Sequence, residues 1–181
     1  MDQGTASRTR PWLAVGQEIT ALLARIDAGA FAAVADAFGD DRRWFFSGQG
    51  RSGLAAQMAA MRFMHLGRNV HFVGEVTAPS LRKGDGLLII SGSGETPVSV
   101  GYARIARAEG ARIVTLTHKP QGTLAGIADV VLPVPVTETA QFGGSLFEQT
   151  CLILLDAVVM QLAAALPDAH GTMAYRHTNL Q

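Results

Sequence analysis

Ser91-Gly92-Ser93-Gly94-Glu95-Thr96 places three hydroxyls within six residues, directly ahead of a helical pattern that opens with Pro97. Backbone N–H groups, hydroxyls and the positive end of a helix dipole together bind a phosphate monoester. Thr96 also fits as an N-cap with Pro97 at the first helical position. The two roles are compatible, because an N-cap hydroxyl lies at the anion site. A second turn, Gly48-Gln49-Gly50-Arg51-Ser52-Gly53, matches G-x-G-x-x-G between a strand and a helix. Glu75 follows about twenty residues later, which taken alone fits a dinucleotide fingerprint. The hydroxyl loop has no role in that motif, so a small phosphorylated ligand accounts for both turns better. Ser91, Ser93 and Thr96 are then candidates for its phosphate. Ser47, Gly48, Gly50, Arg51 and Ser52 are candidates for the rest, with Arg51 pairing either phosphate or hydroxyls, or standing as a surface residue of the turn.

Two further residues can move protons. Glu148 sits in Ser145-Leu146-Phe147-Glu148, which reads equally as an S-x-x-E capping box opening an apolar helix. As a base it would rest in its charged form beside the helix N-terminus. His177 lies in a polar C-terminal tail, where a solvated histidine is the plainer reading. His65, among Met61, Phe63 and Met64, reads first as a packing residue and second as a substrate contact. Cys151 lies in an apolar run and reads as a small buried hydrophobe. The five histidines are scattered, and no His/Cys/Asp/Glu cluster has metal-ligand spacing. No metal or cofactor is expected.

The elements that must carry these residues alternate. Strands are expected at Arg42–Ser47, Asn69–Gly74, Gly86–Ser91, Arg112–Thr117 and Val130–Val134. Helices are expected at Leu54–Leu66, Pro97–Glu109 (closed by Gly110 as its C′ residue) and Ser145–Leu166, after an Ala-rich lead-in helix at Gln17–Phe38. Strands that alternate with helices and read as continuous apolar runs imply a parallel sheet covered on both faces. The expected fold is therefore α/β: a single doubly wound, five-stranded parallel sheet of flavodoxin-like order 2-1-3-4-5. In that order strands one and three are neighbours where the winding reverses, which is where open α/β sheets bind ligands. Both glycine-rich turns belong there.

The chain has 181 residues, 48% of them hydrophobic and 17% charged, which suits one globular domain, preceded here by an N-terminal extension at residues 1–16. Lys+Arg 15 balances Asp+Glu 15, leaving no basic footprint for long nucleic acid. The near-zero net charge is compatible with a homo-oligomer. A lone cysteine and no apolar leader favour the cytoplasm. Thr150–Leu166 holds Asp156 and Gln161 and falls short of the ~20 residues that span a bilayer. No membrane partner is expected, and the helix reads as buried in a core or a subunit interface.

Ser91–Thr96 resembles the phosphate loop of the sugar isomerase (SIS) domain, and Gly48–Gly53 resembles its first substrate loop. Together with Ala60–Gly67 (AMRFMHLG), Gly144–Gln149 (GSLFEQ) and Met173–Leu180 (MAYRHTNL), they resemble the 6-phospho-3-hexuloisomerases. The resemblance runs from about residue 42 to the C-terminus. The departures are Gln181, where Glu is frequent, and Pro97, where Lys is common. It implies reversible conversion of D-arabino-3-hexulose 6-phosphate to D-fructose 6-phosphate, the second step of the ribulose monophosphate route of formaldehyde fixation. It also implies Glu148 as general base, His177 reaching a neighbour's site, a tetramer, and a functional association with hexulose-phosphate synthase. Another SIS isomerase of the arabinose 5-phosphate type and a non-catalytic sugar-phosphate sensor stand as alternatives.

Overall fold

The computed structural model of the chain describes residues 10–180. Residues 1–9 of the expected extension, and Gln181, lie outside the described residues. Five parallel strands form one sheet: β1 Trp44–Gly48, β2 Val70–Phe72, β3 Gly86–Ile90, β4 Arg112–Thr117 and β5 Val130–Pro133, in the order β2-β1-β3-β4-β5. This is the expected doubly wound order. Alternation along the strands separates two apolar layers. Trp44, Phe46, Leu88, Ile90, Val114 and Leu116 face one side. Phe45, Leu87, Ile89 and Ile113 face the other.

The first layer is covered by α2 (Ala28–Ala37), α3 (Arg51–His65) and α6 (Ser145–Ala164). The second is covered by α4 (Pro97–Ala108) and the short α5 (Thr123–Ile127). Buried Ala55, Ala56, Ala59 and Ala60 let α3 lie close against the sheet. Gly110 ends α4 as expected, with φ +74° and the Ala111 N–H donating to the Ala106 carbonyl at 3.0 Å.

Three expectations are corrected. The lead-in is two helices, α1 (Pro11–Leu23) and α2, broken where Asp27 turns its carboxylate to the Ala30 N–H at 2.7 Å. An aspartate that caps a new helix competes with continuation of the old one. α1 also begins at Pro11, inside the stretch expected as extension. Lastly, the C-terminal segment is not an aperiodic tail. It forms α7 (Ala169–Arg176), capped by Asp168, whose carboxylate accepts from the Gly171 N–H at 3.0 Å, and it packs Ala169 and Met173 against the core.

α6 runs 20 residues, ending two residues before the expected Leu166, and by length and composition it could cross a membrane. Its inner face, including Leu146, Phe147, Cys151, Leu154, Leu155 and Val158, is buried in the core. Cys151 is fully buried, and desolvation followed by the nearby Glu148 charge pushes its thiol well up, so it stays protonated.

Candidate active site

β1 and β3 pair with Ser47 beside Ile89 and Gly48 beside Ile90. The two glycine-rich turns therefore leave the sheet side by side, with Ser47 and Ser91 buried at their roots. Glycine is required in the first turn because its ends nearly touch. A Cβ on Gly48 would meet the Ser52 carbonyl oxygen at 2.7 Å, and one on Gly53 would meet the Gly48 oxygen at 2.7 Å. Gly50, at φ +57°, makes the reversal that starts α3. Arg51 and Ser52 are thus the first residues of α3, which opens earlier than Leu54.

In the second turn Thr96 occupies the N-cap position of α4, yet its hydroxyl makes no capping bond. It lies 3.5 Å from the Ser91 hydroxyl and 3.4 Å from that of Ser93. Three hydroxyls thus converge over the start of a helix, which is the arrangement a phosphate group needs. The end of β4 and the segment after it brace the loop. The Thr117 hydroxyl donates to the Gly92 carbonyl at 3.0 Å, and the Leu124 N–H donates to the Gly94 carbonyl at 3.0 Å. Glu95 points away from the hydroxyls and accepts from the Thr123 N–H at 2.7 Å, a bond that holds its carboxyl below the usual range.

Glu148 does not act in a capping box. The N-cap position of α6 is Gly144, and the Ser145 hydroxyl donates to the Phe142 carbonyl at 2.8 Å. The Glu148 carboxylate instead accepts from Arg51 Nε at 2.5 Å. It is largely buried, at 14% side-chain exposure, whereas Arg51 is 63% exposed. Gly144 leaves the carboxylate room, since a Cβ there would lie 3.1 Å from Glu148 Oε1. Next along α6, Phe147 meets the His118 ring edge-on at 6.0 Å, and both rings flank Gly92 of the hydroxyl loop. The base candidate and the hydroxyl loop therefore share one rim. His118, which the sequence pattern did not single out, lies against Phe147 and Gly92, and burial and then Lys119 lower its pKa. Its position at the carboxyl end of a strand was the signal that was available.

Residues 38–165 match the SIS domain family. The chain belongs to the SIS domain family. Among SIS relatives, the 3-hexulose-6-phosphate isomerase of Mycobacterium gastri is 38% identical over 92% of this chain and 88% of its own length. The protein of the same name from Bacillus subtilis is 39% identical over 76% of this chain and 79% of its own. A crystal structure from Methanococcus jannaschii, described with an inferred function of 3-hexulose-6-phosphate isomerase, superposes with a TM-score of 0.84 at 31% identity. It covers 96% of this chain and 100% of its own.

Within one SIS chain His177 does not join Glu148. It stacks on His65, ring centroids 5.2 Å apart and 18° between planes. His65 is the last residue of α3 and Arg51 the first, about 21 Å apart at about 1.5 Å per residue. His65 is buried, with its Nδ1 3.3 Å from Arg62. Desolvation first, then His177 and Arg62, lower its pKa. A histidine buried neutral gives stability that is complete above its unfolded value of about 6.5 and lost as pH falls through its folded value. Wild type should therefore lose more of its melting temperature than His65→Asn between about pH 7.5 and 5.5. Parallel melting curves for the two proteins would remove His65 as the source.

Proposed function

We propose that this SIS protein is a 3-hexulose-6-phosphate isomerase, interconverting D-arabino-3-hexulose 6-phosphate and D-fructose 6-phosphate in the ribulose monophosphate pathway. The observation that carries this reading is a largely buried carboxylate, freed from capping, on the same rim as a three-hydroxyl phosphate loop. The ketone must move from C3 to C2. Glu148 removes the C2 proton, a C2–C3 enediol forms, and a proton returns to C3. Donors are needed where the enediolate charge develops. Arg51, exposed and paired only to Glu148 among the described residues, is placed to turn its N–H groups to that oxygen. The chemistry calls for no redox cofactor and no metal. A coupled measurement of fructose 6-phosphate formed from hexulose 6-phosphate tests the reading directly. Turnover of arabinose 5-phosphate instead would replace the assigned substrate.

The phosphate assignment has its own test. Ser93→Ala combined with Thr96→Ala should raise KM more than either change alone, because each hydroxyl takes part of one anion's hydrogen bonding. If inorganic phosphate protects the double variant from heat as well as it protects wild type, these hydroxyls are not the phosphate site.

A homo-oligomer, in the family resemblance a tetramer, completes the account. The outer face of α6 supports it. Gln149, Ile153, Asp156 and Met160 fall within an arc of about 60° at about 100° per residue. Ile153 and Met160 are exposed, at 38% and 73%. Gln149 Oε1 and Asp156 Oδ1 are buried with no hydrogen-bond partner among the described residues. A second subunit on this stripe would cover the apolar pair, while the two oxygens are already shielded within the chain. The His177 of one subunit would then complete a neighbour's site. A cytoplasmic location and functional association with a hexulose-phosphate synthase follow from the same pathway reading.

A further inference from the structure

A sugar phosphate near neutral pH carries close to two negative charges, with a second pKa of about 6. The Ser91–Thr96 loop offers hydroxyls and backbone N–H groups but no cation, and its one charged residue, Glu95, is an anion. Arg51 on the neighbouring turn is already tied to Glu148. We propose that Lys119, in the segment between β4 and α5, is the cationic contact for the substrate phosphate. The residue is one of two lysines in the chain, and it forms no ion pair among the described residues.

Its placement is built rather than loose. The Lys119 N–H donates to the Thr117 hydroxyl at 3.1 Å, and that hydroxyl donates to the Gly92 carbonyl of the loop. The Lys119 Cβ lies 3.8 Å from where a Cβ on Gly94 would stand, at the loop's apex, where φ is +66°. With Ser93 of the hydroxyl loop, Glu95, Gln121 and Gly122, Lys119 lines a cavity of about 250 Å³. The carboxylate in that wall, Glu95, is held by the Thr123 N–H rather than by the lysine. The ammonium is therefore uncommitted, on a four-carbon stem whose base is fixed against the phosphate loop. A flexible point charge of this kind suits a phosphate.

The role rests on the sugar-phosphate reading of the loop, and the test separates the two. Wild type, Lys119→Ala, Lys119→Arg and the Ser93→Ala/Thr96→Ala double variant are compared by steady-state kinetics. Calorimetric titration with inorganic phosphate is run beside them at low and high salt. Lys119→Ala should raise KM and the phosphate Kd about tenfold, the scale of one charge-assisted contact, with most of the loss in binding rather than kcat. Its phosphate affinity should depend less on salt than that of wild type. Lys119→Arg should recover most of the affinity. Unchanged KM and Kd in Lys119→Ala, with the double variant impaired, would leave the loop as the phosphate site and overturn the lysine's part in it. Failure of wild type to bind phosphate at all would overturn both. Thermal melting without ligand checks that each variant folds.

Discussion

Glu148→Gln is expected to lower turnover by a factor of about 10² or more, the scale of general base catalysis. The amide keeps the shape of the side chain and still accepts from Arg51, which lies 2.5 Å from the carboxylate. It cannot take up the C2 proton. KM should therefore move little while kcat collapses, the pattern of an interaction used only on the way to the transition state. The capping explanation predicts the reverse: normal turnover and a less stable helix. The structure already weakens it, because Ser145 bonds Phe142 and leaves no reciprocal pair with Glu148. Near-normal turnover in Glu148→Gln would reduce the residue to a partner for Arg51.

Co-expression of two inactive variants should restore activity. If His177 of one subunit serves the Glu148 of another, random mixing of Glu148→Gln with His177→Asn leaves both residues native in about a quarter of the sites. Each variant alone should be nearly inactive, and the mixture should recover on the order of that fraction. Sedimentation of wild type should show a species well above 19.1 kDa. No recovery in proven mixed oligomers would confine the site to one chain, and a fully active monomer would remove the interface on α6 as well. Point substitution is a cleaner probe than deleting residues 173–181. Met173 packs against the main core through α7, so a deletion would disturb folding along with the site.

The sheet was legible because its signals are local and repeated. Apolar runs such as Gly86–Ile90 are buried on both faces, and glycines end them where the chain must turn. The neighbourhood of the two turns followed from the strand order alone. What escaped the sequence depends on which of two local partners a side chain selects. Ser145 and Glu148 have the spacing of a capping box, and only tertiary contact shows Glu148 drawn instead to Arg51, far away in the chain. Asp27 breaks the Ala-rich lead-in because a capping bond competes with helix propagation, a contest that composition does not decide. Asp168 gave a comparable signal ahead of α7, masked by the polar residues around it. His118 was passed over because its place beside the loop comes from the end of a strand rather than from a motif.

Deuterium exchange into fructose 6-phosphate tests the central claim most directly. The 2,3-enediol places the labile proton of this ketose at C3, whereas an enzyme that forms a 1,2-enediol would labilise C1. With wild type in D₂O, proton NMR should show the C3 signal disappearing as hexulose 6-phosphate forms, with C1 untouched. The Glu148→Gln variant should form almost no hexulose 6-phosphate, because no group then delivers the proton to C2. In wild type, exchange at C1, or a C3 proton that persists with no hexulose 6-phosphate formed, would contradict the account.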